Sequence, residues 1–127
     1  KEYIAKAHRL RKMAGGGLRQ AGFMAAAASY ALDHHVTRLA DDHQLMAHLA
    51  QGLAGIPGLQ IETPQTNILF VDLVGEAKDR GAALQAHLKN EGIDMTGLYR
   101  LRFVTHLDVD RAGVDRAIAA IRKFFGV

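Results

Sequence analysis

LQIETPQTNILFVDL, residues 59–73, is where the chain changes period. LQIET (59–63) and NILFVDL (67–73) are short β-branched and aromatic runs separated by Pro64 and Gln65 and closed by Gly75, so both read as strands. Downstream, helical spacing returns in Asp79–Asn90 through Ala83, Leu84 and Leu88, and Gly92 closes that helix. IDM (93–95) and YRLRFVT (99–105) read as two further strands. Asp110 can cap a last helix over Arg111–Phe125, with Val114, Ala117, Ile118, Ile121 and Phe125 turned inward.

Upstream, the pattern is helical throughout. Glu2–Met13 places Tyr3, Ile4, Ala7 and Leu10 on one face and Lys6, Arg9 and Lys12 on another, and Gly15–Gly17 end it. Leu18–Leu32 is rich in strong helix formers and apolar almost all round, as expected of a helix buried against neighbours, and Asp33–His35 interrupt it. A third helix over Val36–Leu53 carries the apolar stripe Val36, Leu39, Ala40, Leu45, Leu49 and Leu53, and Gly55, Pro57 and Gly58 stop it. Three helices, two strands, helix, two strands, helix is the order of an α/β or α+β layer in which helices cover a small sheet.

The 127 residues suffice for one core, and 49% apolar with 23% charged residues is a globular balance. No apolar run reaches the roughly 18 to 20 residues that span a bilayer, so no membrane role is expected. KEYIAKAHRLRK lacks the apolar segment and cleavage site of a secretory signal, and a start at Lys1 without Met suggests a truncated or processed chain. Zero cysteines exclude disulfides and thiolate chemistry and fit a reducing, cytoplasmic setting. The net charge of +3 is uneven: six Lys/Arg against Glu2 give residues 1–19 a balance of +5, while the remainder is at −2. The positive field therefore belongs to the segment that leads into the glycines, which suits an anion.

Glycines ahead of a helix can present backbone N–H groups to a phosphate, and Lys12 and Arg19 bracket Gly15, Gly16 and Gly17. The stretch is not a phosphate-loop or dinucleotide pattern, and a plain helix-to-helix connection fits the same spacing. On a strand of period two, Arg100, Arg102 and Val104 share one side and Leu101, Phe103 and Thr105 the other. Two guanidinium forks on one face can grip a carboxylate, or they can serve a solvated face or a structural ion pair. Seven histidines raise a metal site, but His34 and His35 are adjacent and His43 and His48 are five apart, so no pair has ligand spacing on a helix and no metal is expected. His106 suits a hydrogen bond at a strand-to-helix corner. The basic first helix lacks interleaved aromatics beyond Tyr3, which argues against nucleic acid. No nucleophile triad or carboxylate pair stands out, so no catalytic residue is assigned.

RKMAGGGLRQAGFMAAAASYAL, TPQTNILFVDL and LRFVTHLDV, in this order, resemble the C-terminal part of low-specificity L-threonine aldolases along the full chain. The resemblance implies a pyridoxal-phosphate lyase of the aspartate-aminotransferase fold type, which splits β-hydroxy-α-amino acids such as L-threonine or L-allo-threonine to glycine and an aldehyde, acetaldehyde for these two. It implies a small, mainly antiparallel sheet, residues 36–127 as the small C-terminal domain, and residues 1–35 as helices leading from the large domain and its interface. It further implies that Lys12, Gly15, Gly16, Gly17 and Arg19 lie close to the cofactor, with Arg19 reaching the phosphate of a neighbouring subunit of a dimer or tetramer, and that Arg102 holds the substrate carboxylate. Arg100 has no required role in that pattern.

The family holds its cofactor on a lysine in a Ser-Lys-Gly-like segment, and none of Lys1, Lys6, Lys12, Lys78, Lys89 or Lys123 has that context. The expectation is therefore a chain inactive alone, whose partner is the remaining N-terminal part of the enzyme. The alternative is a non-catalytic interaction or oligomerisation domain that docks through the apolar segment 18–32.

Overall fold

The computed structural model describes all 127 residues, which divide into two compact units, Lys1–Val36 and Thr37–Val127. In the first unit, α1 (Glu2–Met13) has the expected bounds, while α2 runs over Ala21–His34. It starts three residues later than the composition implies, because Gln20 sits in the left-handed region at φ 49° and no side chain caps the helix. It also continues through Asp33 and His34, where the Tyr30 and His34 rings stack one turn apart at 4.1 Å. The expectation that this helix is buried is corrected: neither α1 nor α2 buries a residue, and Phe23 is 79% exposed.

In the second unit, α3 (Leu39–Leu53), β1 (Leu59–Ile61), β2 (Ile68–Leu73), α4 (Gly81–Asn90), β3 (Arg100–Val104) and α5 (Arg111–Phe125) follow in order, with one 3-10 turn at Gly75–Ala77. The three strands form an antiparallel sheet in the order β1-β2-β3, with Val71 opposite Ile61 on one side and Leu101 on the other. Alternation turns Leu69, Val71, Leu73, Leu101 and Phe103 inward, where they meet Met46, Leu49 and Leu53 of α3, Leu84 and Leu88 of α4, and Val114, Ala117 and Ile121 of α5. The other sheet face stays half-open. This is the helix-covered α/β layer that the element order implies.

Two expectations fail in instructive ways. IDM (93–95) is not a strand: Ile93 N–H donates to Leu88 O and Gln85 Nε2 donates to Met95 O, so the segment closes the end of α4 and buries Met95 in the core. Only Thr96 reaches β3, through a single bridge to Arg102. α3 starts at Leu39 rather than Val36, and its buried stripe is Asp42, Met46, Leu49 and Leu53, whereas Leu39 and Ala40, like Val36 ahead of the helix, are exposed. A charged residue opens the buried stripe because Arg38, one turn back, grips Asp42 through both guanidinium nitrogens at 2.9 and 3.2 Å. Ala83 of α4 is exposed too, leaving Leu84 and Leu88 as the inward pair.

Candidate functional site

The sequence-derived site residues fall into both units. In the first, the glycine run ends α1: Gly15 N–H donates to Lys12 O, Gly16 N–H to Arg11 O, and Gly17 N–H to Gly15 O, with Gly15 left-handed at φ 81°. All three N–H groups are engaged within the loop, so the glycines do not cradle an anion with their own donors. They supply space instead. A Cβ on Gly17 would stand 2.5 Å from Lys12 Nζ, so the bare backbone lets the ammonium lie across the loop. Lys12 and Arg19 have no acidic partner, and the N–H groups of Leu18 through Gly22, at the start of α2, donate to no protein acceptor. Two free cations beside open backbone donors suit a phosphate group.

In the second unit, β3 carries the arginines. Leu101 and Phe103 point into the core, which leaves Arg100 and Arg102 on the open face. The structure separates them. Arg100 Nη2 lies 2.6 Å from Glu62 Oε1, and its guanidinium stacks over the Phe70 ring at 4.6 Å. Arg102, directly across the ladder from Phe70, makes no side-chain hydrogen bond and no ion pair. Its surroundings on that face include the half-buried Ile68, Phe70 and Val104. Arg102 itself is exposed, so its planar fork is open to a carboxylate arriving from solvent.

The end of β3 is fixed by a polar clamp absent from the sequence reading. Asn67 Nδ2 donates to Thr105 O at 2.7 Å, Thr105 N–H donates back to Asn67 O at 3.0 Å, and the buried Thr105 hydroxyl donates to Asp42 O at 2.7 Å. Three residues along, the strand presents Arg102 in a set register. The backbone N–H of Asp108 donates to His106 Nδ1 at 3.3 Å, the corner role expected for that histidine. Glu62 and Phe70 were likewise missed as partners of Arg100; the signal that finds them is the strand pairing, which sets Phe70 across from Arg102 and brings Glu62 N–H onto Phe70 O at 3.1 Å. His48, set aside above as a metal ligand, is partly covered and meets Asp115 at 2.6 Å between α3 and α5.

The chain is 41% identical over 124 residues to the low specificity L-threonine aldolase of Escherichia coli K12, covering 98% of this chain and 36% of that protein. It is 34% identical over 129 residues to the probable low-specificity L-threonine aldolase 2 of Arabidopsis thaliana, again 98% of this chain and 36% of the relative. The chain thus spans about a third of the length of these relatives. Among solved structures, a Sphingomonas wittichii serine palmitoyltransferase superposes with a TM-score of 0.59 at 21% identity, over 73% of this chain and 26% of that one. The cystine lyase C-DES, in a variant solved with glycine covalently linked to its PLP cofactor, superposes with a TM-score of 0.51 at 18% identity, over 61% of this chain and 21% of that one. A family model described as beta-eliminating lyase matches residues 1–76, from α1 through the second strand. With that match over more than half its length, the chain belongs to the beta-eliminating lyase family.

Proposed function

We propose that this chain is the C-terminal part of a pyridoxal-phosphate-dependent aldolase that cleaves L-threonine or L-allo-threonine to glycine and acetaldehyde. On this reading residues 36–127 are the small domain, residues 1–35 lead in from the large domain, and the remaining N-terminal part of a homo-oligomeric, cytoplasmic enzyme supplies the lysine that holds the cofactor. The support is the likeness to threonine aldolases along the whole chain, with the PLP-linked structure of a fold relative.

The observation that carries the reading is the free fork of Arg102 beside the occupied fork of Arg100. Bound pyridoxal phosphate would supply the sink for the electron pair released as the substrate's Cα–Cβ bond breaks. The residues present fit its phosphate: Lys12 across the glycine loop and Arg19 ahead of α2 offer charge without internal partners, and Gly15, Gly16 and Gly17 permit close approach. Arg102 binds the α-carboxylate through two parallel hydrogen bonds, which fixes the amino acid's orientation and the plane in which its scissile bond lies.

The test is Arg102→Lys in the complete enzyme. Lysine keeps the charge and loses the fork, so the KM for threonine should rise about tenfold or more, equivalent to ~1.4 kcal/mol. An unaltered KM would remove Arg102 from the site.

The exposure of α2 favours a second reading, an interaction domain that docks through this helix. Phe23, Ala26, Ala27 and Tyr30 recur at the spacing of one helical face and none is buried.

A further inference from the structure

Two arginines stand two residues apart on the open face of β3, and one of them already holds an acid. Same-face neighbours on a strand are about 7 Å apart, within reach of the two carboxylates of a short diacid gripped from both sides. The stack on Phe70, the cross-strand partner of Arg102, keeps Arg100 on this face. Glu62 Oε1, 2.6 Å from its Nη2, takes up one arm of its fork and sets a negative charge beside it. The side chains of Arg100 and Glu62 are both about half exposed, so the pair is not a core element whose loss would undo the fold.

We propose that Glu62 is a specificity-determining residue: by occupying Arg100 it leaves Arg102 as the one fork on this face, so that the site accepts ligands with one carboxylate and disfavours those with two. The inference rests on the reading of Arg102 as the carboxylate site. A carboxylate tethered within the fold acts at an effective concentration in the millimolar range or above, so a free diacid must displace Glu62 before it can use Arg100. The charge of Glu62 also opposes the second carboxylate as it arrives. Removing Glu62 leaves Arg100 on Phe70 with its fork open, converting the face from a one-acid to a two-acid reader. Asp72, directly opposite Arg100 on β2 and without a polar partner of its own, is the other acid that could take Glu62's place.

The experiment measures propionate and succinate binding to the complete holoenzyme by calorimetry, and its readout is the ratio of the two affinities. In Glu62→Gln the ratio should shift about three- to tenfold toward succinate, and Arg100→Ala added to that variant should reverse the shift. Glu62→Gln/Asp72→Asn is measured alongside; a shift confined to this double variant, and abolished by Arg100→Ala, supports the same masking with Asp72 as a second acid. A ratio unchanged in both variants, or a shift that survives Arg100→Ala, overturns the proposal. Arg102→Lys separates the two layers of argument, since it should weaken both ligands. If it weakens neither, the reading of Arg102 itself fails; if it weakens both while the ratio moves in neither Glu62→Gln nor the double variant, only the masking role fails.

Discussion

Gly97 shows how much of the site depends on a single missing atom. Its φ is +91°, and a Cβ there would overlap the carbonyl oxygen of Arg100. Both the backbone region and the space thus demand glycine at the turn that feeds β3. Gly97→Ala should lower stability by about 1–3 kcal/mol in urea unfolding, with the strain falling on the strand that carries the arginines; a loss below a few tenths would mean that the turn re-forms without cost. The same scale explains what was readable beforehand. Alternation alone assigned Arg100 and Arg102 to one face, but which of them was free could not be read, because Glu62 lies 38 residues away and meets Arg100 only through the register of two strand pairings. Nor does the spacing of glycines reveal that their N–H groups are used inside the loop, since that depends on the path of the backbone.

Elements were legible where a local signal sets their ends. The α5 bounds follow from Asp110, whose carboxylate accepts from Gly113 N–H at 2.7 Å, and from Gly126, left-handed at φ 76°. The α1 bounds follow from its glycines. Residues 93–95 have strand composition without a strand, because a ladder needs a neighbour and Met95 is drawn into the core instead. The junction of α3 and α5 carries its own pH dependence. The hydrogen bond from His48, assisted by Arg111, holds the Asp115 carboxyl below its ordinary 3.8. A folded-state value below the unfolded one means that the unfolded chain binds more protons across this window, so the contribution is fully present above about pH 4 and fades as pH falls through the lowered value. The stability difference between the native chain and Asp115→Asn, followed by thermal unfolding from pH 6 downward, should therefore shrink toward zero in acid. A difference that stays constant across that range would show that the pair contributes no pH-dependent stability.

At the scale of the whole molecule, the two units differ in kind. Every residue of the apolar core, from Met46 to Ile121, belongs to Thr37–Val127, while Lys1–Val36 buries none and carries the excess of positive charge. Residues 37–127 therefore hold the determinants of a cooperative fold, and the apolar side of α2 holds those of association. Removing residues 1–36 should leave a fragment that unfolds in one transition and sediments as a monomer. The 127-residue chain should associate as its concentration rises, because Phe23, Met24, Tyr30 and Leu32 are open on α2. Sedimentation velocity on both species from micromolar to hundreds of micromolar decides the matter. Association of the longer chain alone would assign the contact to residues 1–36, and its loss in Phe23→Ser/Tyr30→Ser would narrow it to α2 rather than to the exposed Tyr3, Ile4 and Leu10 of α1. If the 37–127 fragment associates equally, the contact surface lies on the second unit, and the docking role of α2 is lost.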